Sequence, residues 1–331
     1  MSSSCSQDGA RSLTICSVSF NSGPWLDLNR QLTVALNPGV TFSWVVAENS
    51  PVDSSLRVSP ELSGFRIIPG AAFERRAYGS GSYHHGRGMN ETLPHIRTRY
   101  ALFCDPDFYI VRAGWIQAML RHMQEQDVAI LGVPWHPRWV HKRRYFPCVH
   151  CMFVDLAAVP AETLDFTPDI DGVPAYARTA GDRASTFGRM KLPDPLKLRK
   201  RRHIGTSRDV SWRIQDRYAD DPGVRIECLQ PVLRSDLSRL RQRVEGLLPD
   251  RWSLLPQRPG YFAERGFADL GLPDLDRRGW EEFLWRGRPF GFHVRSQPKL
   301  KQQDSLADHL ADVRDILEGL ATGPQPRGDL P

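Results

Sequence analysis

The sequence predicts an α/β fold with a doubly wound, mainly parallel sheet, and three observations carry that prediction. Short apolar runs recur along the first two thirds of the chain, continuous rather than alternating, as in strands covered by helices on both faces. Segments of helical length and apolar spacing separate them, so strand and helix alternate. One run, Tyr100-Ala101-Leu102-Phe103-Cys104, stops abruptly at Asp105-Pro106-Asp107. Carboxylates at the carboxyl end of such a strand lie where open α/β sheets bind their ligands.

Taken in order, Leu13 to Phe20 is a first strand, broken at Asn21-Ser22-Gly23-Pro24. Leu26, Leu28, Leu32 and Leu36 give a helix from about Trp25 to Leu36, stopped by Asn37-Pro38-Gly39. Thr41 to Ala47 is a second strand and Phe65 to Pro69 a short third. A glycine-rich span, Gly79 to Gly88, leads into a helix near Met89 to Thr98 and then to the strand ending at Asp105. Beyond it, Ala113 to Gln126 reads as a helix, and Val128–Val133 and His150–Asp155 as strands. Residues 165–208, rich in Pro, Gly, Asp and basic groups, read as a long loop or lid. Asp209–Tyr218 follows as a helix and Val224–Leu229 as a strand. From about Arg234 the chain alternates helical segments with Pro/Gly breaks. The expected organisation is a polar tail over 1–11, a main domain over 12–235, a mostly helical C-terminal extension over 236–318 and a second tail over 319–331.

Composition narrows the function classes. Hydrophobic residues make up 40% and charged residues 25%, enough apolar material for a large core. The formal charge of +6 is concentrated in His141–Arg144 and Lys197–His203. Such clusters are solvated loops or contacts for phosphate or an anionic membrane surface; no nucleic-acid recognition motif accompanies them. No apolar segment approaches the roughly 20 residues of a membrane span. The first eleven residues lack the apolar core of a signal peptide. Cys16, Cys104, Cys151 and Cys228 lie in apolar runs, which reads as buried thiols in a reducing cytoplasm rather than a disulfide framework. Cys148-Val149-His150-Cys151 has no second Cys/His pair at ligand spacing and reads as a strand entrance, not a zinc site.

Asp105 and Asp107 carry the main chemical signal. Pro106 has no N–H for the ladder, so pairing stops there and the two acids can converge on one hard cation. An ordinary Asp-Pro turn is the alternative.

These elements together resemble the GT-A fold nucleotide-sugar glycosyltransferases, in particular their family 2 group. Thr14–Ser22 resembles the first strand and turn of that family, and Val45–Ser50 its second strand, with Glu48 in place of the usual Asp. Gly86-Arg87-Gly88-Met89-Asn90 resembles the Gly-x-x-x-Asn element. Asp105-Pro106-Asp107 falls at the Asp-x-Asp (DXD) motif, and Arg208-Asp209-Val210-Ser211-Trp212-Arg213 resembles the start of the base-bearing helix. Arg208 and Ser211 replace acids there. The resemblance spans roughly residues 12–232 and implies a Rossmann-like GT-A sheet.

It implies equally a transferase moving a sugar from a nucleotide-sugar donor to a hydroxyl acceptor, with inversion and with Mn²⁺ or Mg²⁺. Asp107 would meet the metal most directly, with Asp105 on the donor ribose or on the metal through water. Ser19, Asn21, Glu48 and Asn90 would face the donor nucleotide. Asp209 would be the base, although an Asp at a helix start is also a common N-cap. His293 would be a C-terminal metal ligand, with Arg87, Arg295 and Lys299 as diphosphate contacts. Trp135, His136 and Trp139 would lie on the acceptor side, where rings stack on sugars. The expected acceptor is a glycan, a lipid-linked glycan of polysaccharide biosynthesis or a small molecule, met in the cytoplasm or at the inner face of a membrane. The rival readings are a sugar-nucleotide or carbohydrate-binding module without turnover, and a nucleotidyltransferase.

Overall fold

Apolar runs become central strands. The computed structural model describes residues 12–59, 64–70, 81–136, 145–168, 209–233, 262–294, 311, 313–315 and 317–318. Strand β1 (Leu13–Ser19) and strand β4 (Tyr100–Cys104) are buried along their whole length. Strand β2 (Phe42–Glu48) is buried from Trp44 onward. β1 pairs in parallel with β2 on one side and β4 on the other, and β3 (Arg66–Pro69) adds in parallel to β2. Beyond β4, strand β7 (Pro147–Asp155) runs antiparallel to both β4 and β6 (Ile130–Pro134), and β8 (Ile226–Cys228) closes the edge parallel to β6. The result is a seven-stranded, mostly parallel sheet of order β3-β2-β1-β4-β7-β6-β8.

Alternate residues of each strand feed two different cores. Leu13, Ile15, Leu102 and Cys104 face one layer, which α1 (Gly23–Leu36) and α3 (Trp115–Glu125) cover through Leu26, Ile116, Met119 and Met123. Cys16, Val18, Ala101 and Phe103 face the other, covered by α2 (Gly81–Thr92) through Met89 and α4 (Trp212–Tyr218) through Ile214. Burial of each Leu or Ile side chain in such a layer stabilises by roughly 1.5–3 kcal/mol. The doubly wound α/β architecture expected from the sequence is therefore present. Among the described residues, no helix is long and apolar enough to cross a membrane.

Three elements differ from the sequence reading. The first is α2, which begins at Gly81 and ends at Thr92, earlier than the expected span, with a 3₁₀ turn over Leu93–His95 after it. Two of its glycines, Gly86 and Gly88, stand where the backbone packs too closely for a side chain. A Cβ on Gly88 would stand 2.8 Å from Val18, and one on Gly86 would collide with the Phe166 carbonyl. The second is β5 (Phe108–Ile110), three residues directly after the acids that local pattern reads as turn.

The third is the C-terminal region. Its described residues carry strands β10 (Glu281–Trp285) and β11 (Arg288–His293), with short 3₁₀ turns and helical residues at 311, 313–315 and 317–318, where a mostly helical segment was expected. Arg286 and Gly287, with φ of 52° and 69°, form the two-residue turn between these strands. With β5 and β9 (Gln230–Pro231) they build a second, antiparallel sheet of order β5-β11-β10-β9. That sheet takes strands from both sides of residue 235. It brings His293 directly opposite Phe108, beside the end of β4.

Candidate active site

Strand geometry brings the acids and the histidines together. Asp105 is the first residue past β4, and the turn after it is fixed from several directions. The Phe108 N–H donates to the Asp105 carbonyl at 3.1 Å, and the Val294 N–H to the Asp107 carbonyl at 2.9 Å. Buried Asn29 of α1 donates its side-chain amide to the carbonyls of Phe108 (2.7 Å) and Pro106 (3.3 Å). Ser17 of β1 donates to the Cys104 carbonyl at 2.7 Å. The two carboxylates thus leave a turn with little freedom.

Three imidazoles surround Asp105. Nε2 of His85, from α2, lies 3.2 Å from Oδ1; Nε2 of His150, from β7, lies 3.6 Å from Oδ2; Nε2 of His293, from β11, lies 3.9 Å from Oδ2. His293 Nε2 also lies 3.2 Å from Oδ1 of Asp107. Its other nitrogen, Nδ1, is 3.1 Å from Oε2 of Glu281, a fully buried carboxylate opposite it on β10. Oδ1 of Asp105 and Nε2 of His85 are close, but the pair is not aligned as a hydrogen bond.

His150 reaches the cluster because it continues the regular β4–β7 ladder, whose register from Tyr100 opposite Asp155 to Cys104 opposite Cys151 places it across from Asp105. Two steps along β6, from Gly132 to Pro134, correspond to five along β7, from Met152 back to Pro147. That irregularity lies on the edge of β7 that faces β6. On the β4 side the backbone is anchored, since the His150 carbonyl accepts the Asp105 N–H at 3.1 Å. Edge-on packing of Trp135 at 4.4 Å and the tilted ring of His293 at 4.3 Å hold the imidazole in place.

Charge in the cluster is mutually supporting. Burial works against ionisation of Asp105, but the imidazoles of His150, His85 and His293 hold its carboxyl well below the usual carboxylate range. Burial opposes the imidazolium of His293, yet Asp107 and Glu281 push its pKa up to about 10. His85 is raised in the same way, against burial, by Asp105, Asp209 and Asp107. Asp209 therefore lies within the electrostatic reach of the same cluster. Burial pushes the neighbouring thiols of Cys104 and Cys151 well up, consistent with their status as free, buried cysteines.

Asp209 has a distinct local setting. The N-cap of α4 is Ser211, in a left-handed conformation with φ of 68°, so the capping explanation for Asp209 does not hold. The Asp209 carboxylate accepts the Val210 N–H at 2.8 Å, and its carbonyl accepts the Trp212 N–H.

The remaining sequence-predicted residues occupy varied settings. Ser19 is fully buried at the end of β1, its Oγ without a hydrogen-bond partner. Asn21 accepts from the Ser54 hydroxyl, and Glu48 accepts the N–H groups of Ser50 (2.7 Å) and Val58 (2.8 Å), so both organise the loop after β2. Asn90 bonds Asp165, Phe166 and Thr167 and holds that segment on α2. Arg87 lies beside Glu91 at 3.9 Å and over the Tyr83 ring. Trp135 and His136 are both buried, Trp135 against His150 and His136 bonded to the Val232 carbonyl at 2.8 Å. Arg208, Arg295, Lys299 and Trp139 lie outside the described residues, as does most of the expected lid.

Sequence reasoning missed His85, His150 and Glu281. Their place beside Asp105 or His293 comes from pairing between distant strands and from the packing of α2, which no local run of sequence marks. The donor set itself fits a divalent ion. Asp105, His150 and His293 each offer one ligand atom, all within 4.8 Å of one another, and a buried Asp105 oxygen has no hydrogen-bond donor. A carboxylate holding the far nitrogen of a histidine, as Glu281 does for His293, is the usual support behind a metal-ligating imidazole.

No protein-family model matches the chain, and no curated protein matches it. Among solved structures, it is similar to the mannosyltransferase PcManGT of Pyrobaculum calidifontis in complex with GDP-Man and Mn²⁺, at 11% identity and a TM-score of 0.34 over 48% of each chain. It is similar to residues 1–349 of S. aureus TarS with UDP, at 14% identity and a TM-score of 0.36, over 47% of this chain and 50% of that one. A third is glucosyl-3-phosphoglycerate synthase of Mycobacterium tuberculosis with Mn²⁺ and UDP, at 12% identity and a TM-score of 0.30, over 40% and 47%. The chain spans about half the length of the solved structures it matches.

Proposed function

We propose that the protein is a metal-dependent glycosyltransferase that moves a sugar from a nucleotide-sugar donor to a hydroxyl acceptor with inversion. The observation that carries this reading is the buried Asp105–His150–His293 cluster at the carboxyl end of β4, with Asp107 and Asp209 in the same field. A divalent ion there would supply Lewis acidity and neutralise charge on the departing diphosphate. Asp105, His150 and His293 would hold it, with Asp107 at the more exposed rim. Glu281 orients His293, and Asn29 fixes the turn that presents both acids.

Asp209 supplies the other half of the chemistry. Inversion needs one group to take the acceptor proton as its oxygen attacks the anomeric carbon. A carboxylate at the start of α4, within electrostatic reach of His85, fits that role. The acceptor is a glycan, a lipid-linked glycan or a small-molecule alcohol, and contact with the inner face of a membrane belongs to this reading as well.

A thermal-shift screen of UDP-, GDP- and dTDP-sugars, with and without Mn²⁺, tests it directly. One nucleotide class raises the melting temperature, and the rise depends on the ion. Asp209→Asn keeps that shift and loses transfer by roughly 10²–10⁴-fold. A shift with no donor sinks the proposal, and a normal transfer rate in Asp209→Asn removes Asp209 from it.

A further inference from the structure

The three imidazoles around Asp105 say more than that an ion binds. Mg²⁺ prefers oxygen ligands in near-ideal octahedral geometry and keeps several waters, whereas imidazole nitrogen suits the later first-row ions. Two carboxylates alone, Asp105 and Asp107, would take Mg²⁺ and Mn²⁺ with little distinction. The structure places two imidazole nitrogens and one carboxylate oxygen within 4.8 Å of one another, with His85 as a third imidazole on the far oxygen of Asp105. Both ligating rings are held in place: His293 by Glu281 on its Nδ1, His150 by the edge of Trp135 and the face of His293. The β4–β7 register is what sets His150 across from Asp105.

We infer that Asp105, His150 and His293 form a two-histidine, one-carboxylate site that selects transition-metal ions such as Mn²⁺, Co²⁺ or Zn²⁺ over Mg²⁺, and that His150 confers the selection. This rests on the reading above that an ion is held beside Asp105. His150 adds a buried nitrogen donor beside Oδ2 of Asp105, the oxygen that His293 also approaches. Without His150, one imidazole and the two acids remain, and preference falls back toward that of a carboxylate site.

The test uses the full-length chain titrated with MgCl₂, MnCl₂, CoCl₂ and ZnCl₂ by calorimetry, with the visible absorption of bound Co²⁺ as a second readout. Co²⁺ and Zn²⁺ are expected to bind at least about a hundredfold tighter than Mg²⁺, with Mn²⁺ intermediate. His150→Ala is expected to weaken Co²⁺ by more than about tenfold and to change its absorption bands, while Mg²⁺ binding changes little. If His150→Ala does not fold by circular dichroism, His150→Gln takes its place, and the wild-type comparison of ions stands regardless. Comparable Mg²⁺ and Co²⁺ affinities overturn the inference, as does an unchanged Co²⁺ spectrum in a folded variant. Comparable affinities together with ion-dependent donor turnover overturn the selectivity alone. Selective binding without turnover of any donor keeps the selectivity and removes the transferase reading. Failure of any divalent ion to bind removes both.

Discussion

Ion binding at the proposed site would be coupled to protons, and that coupling is the sharpest consequence of the cluster. In the ion-free chain the His293 imidazolium is held by Asp107 and Glu281, and its pKa stands at about 10 against an ordinary 6.5. A metal ligand must offer a lone pair, so an ion entering at Nε2 has to displace that proton. Between pH 7 and pH 8.5 the group is still protonated, and each pH unit then gains about tenfold in affinity, or about 1.4 kcal/mol. Over that interval the predicted gain is roughly 30-fold, with about one proton released per ion from His293. The protein's own stability moves the opposite way. A raised histidine pKa contributes stability that is fully present below about pH 6.5 and is lost as pH rises toward 10. The depressed pKa of Asp105 contributes above the ordinary carboxylate range and is lost only in strong acid. Calorimetry with Mn²⁺ in two buffers of different ionisation enthalpy counts the protons, and repeating it at pH 7, 7.75 and 8.5 gives the slope. An affinity that levels off above about pH 7.5, with no proton released, would mean that His293 is neutral or lies outside the ion's shell, and would refute the reasoning.

Three substitutions probe the supports of the site. Glu281→Gln keeps the shape of a fully buried side chain but removes one of the two charges that hold the His293 imidazolium. The His293 pKa then falls, and Mn²⁺ affinity by calorimetry rises less than the wild type's roughly 30-fold between pH 7 and 8.5. Asn29→Ala leaves the carbonyls of Pro106 and Phe108 without their donor, lowering stability in urea by about 1–3 kcal/mol and loosening the ion with it. Gly88→Ala drives a Cβ to 2.8 Å from Val18 between α2 and β1, and denaturant unfolding shows a loss of about 1–3 kcal/mol.

Much of the main sheet is legible because a fully buried strand writes itself as a continuous apolar run. β1, β2 and β4 follow from that pattern alone, and so does the position of Asp105 and Asp107 at a strand end. What pairing between distant segments creates is harder to read. His150 sits inside an apolar strand, and it meets Asp105 only through the register of β7 with β4. Glu281 meets His293 because β10 and β11 pair, and β11 reaches the site because it pairs with the three residues of β5. None of these contacts has a local sequence signature. His85 was hidden differently: its helix is glycine-rich for close packing, a composition that imitates a loop. The sequence marked His293 only through resemblance. Its geometry, between Asp107 and Glu281, is a property of the fold.

Central to the account is that Asp105 and its imidazoles hold an ion for the departure of a nucleoside diphosphate. The most direct measurement is release of UDP, GDP or dTDP from the matching nucleotide sugars by wild-type protein and by Asp105→Asn, each with Mn²⁺ and with chelator. The wild type is expected to release nucleoside diphosphate from one donor class only with the ion, and Asp105→Asn to lose at least about a hundredfold. Release that is indifferent to chelator, or equal in the two proteins, would contradict it.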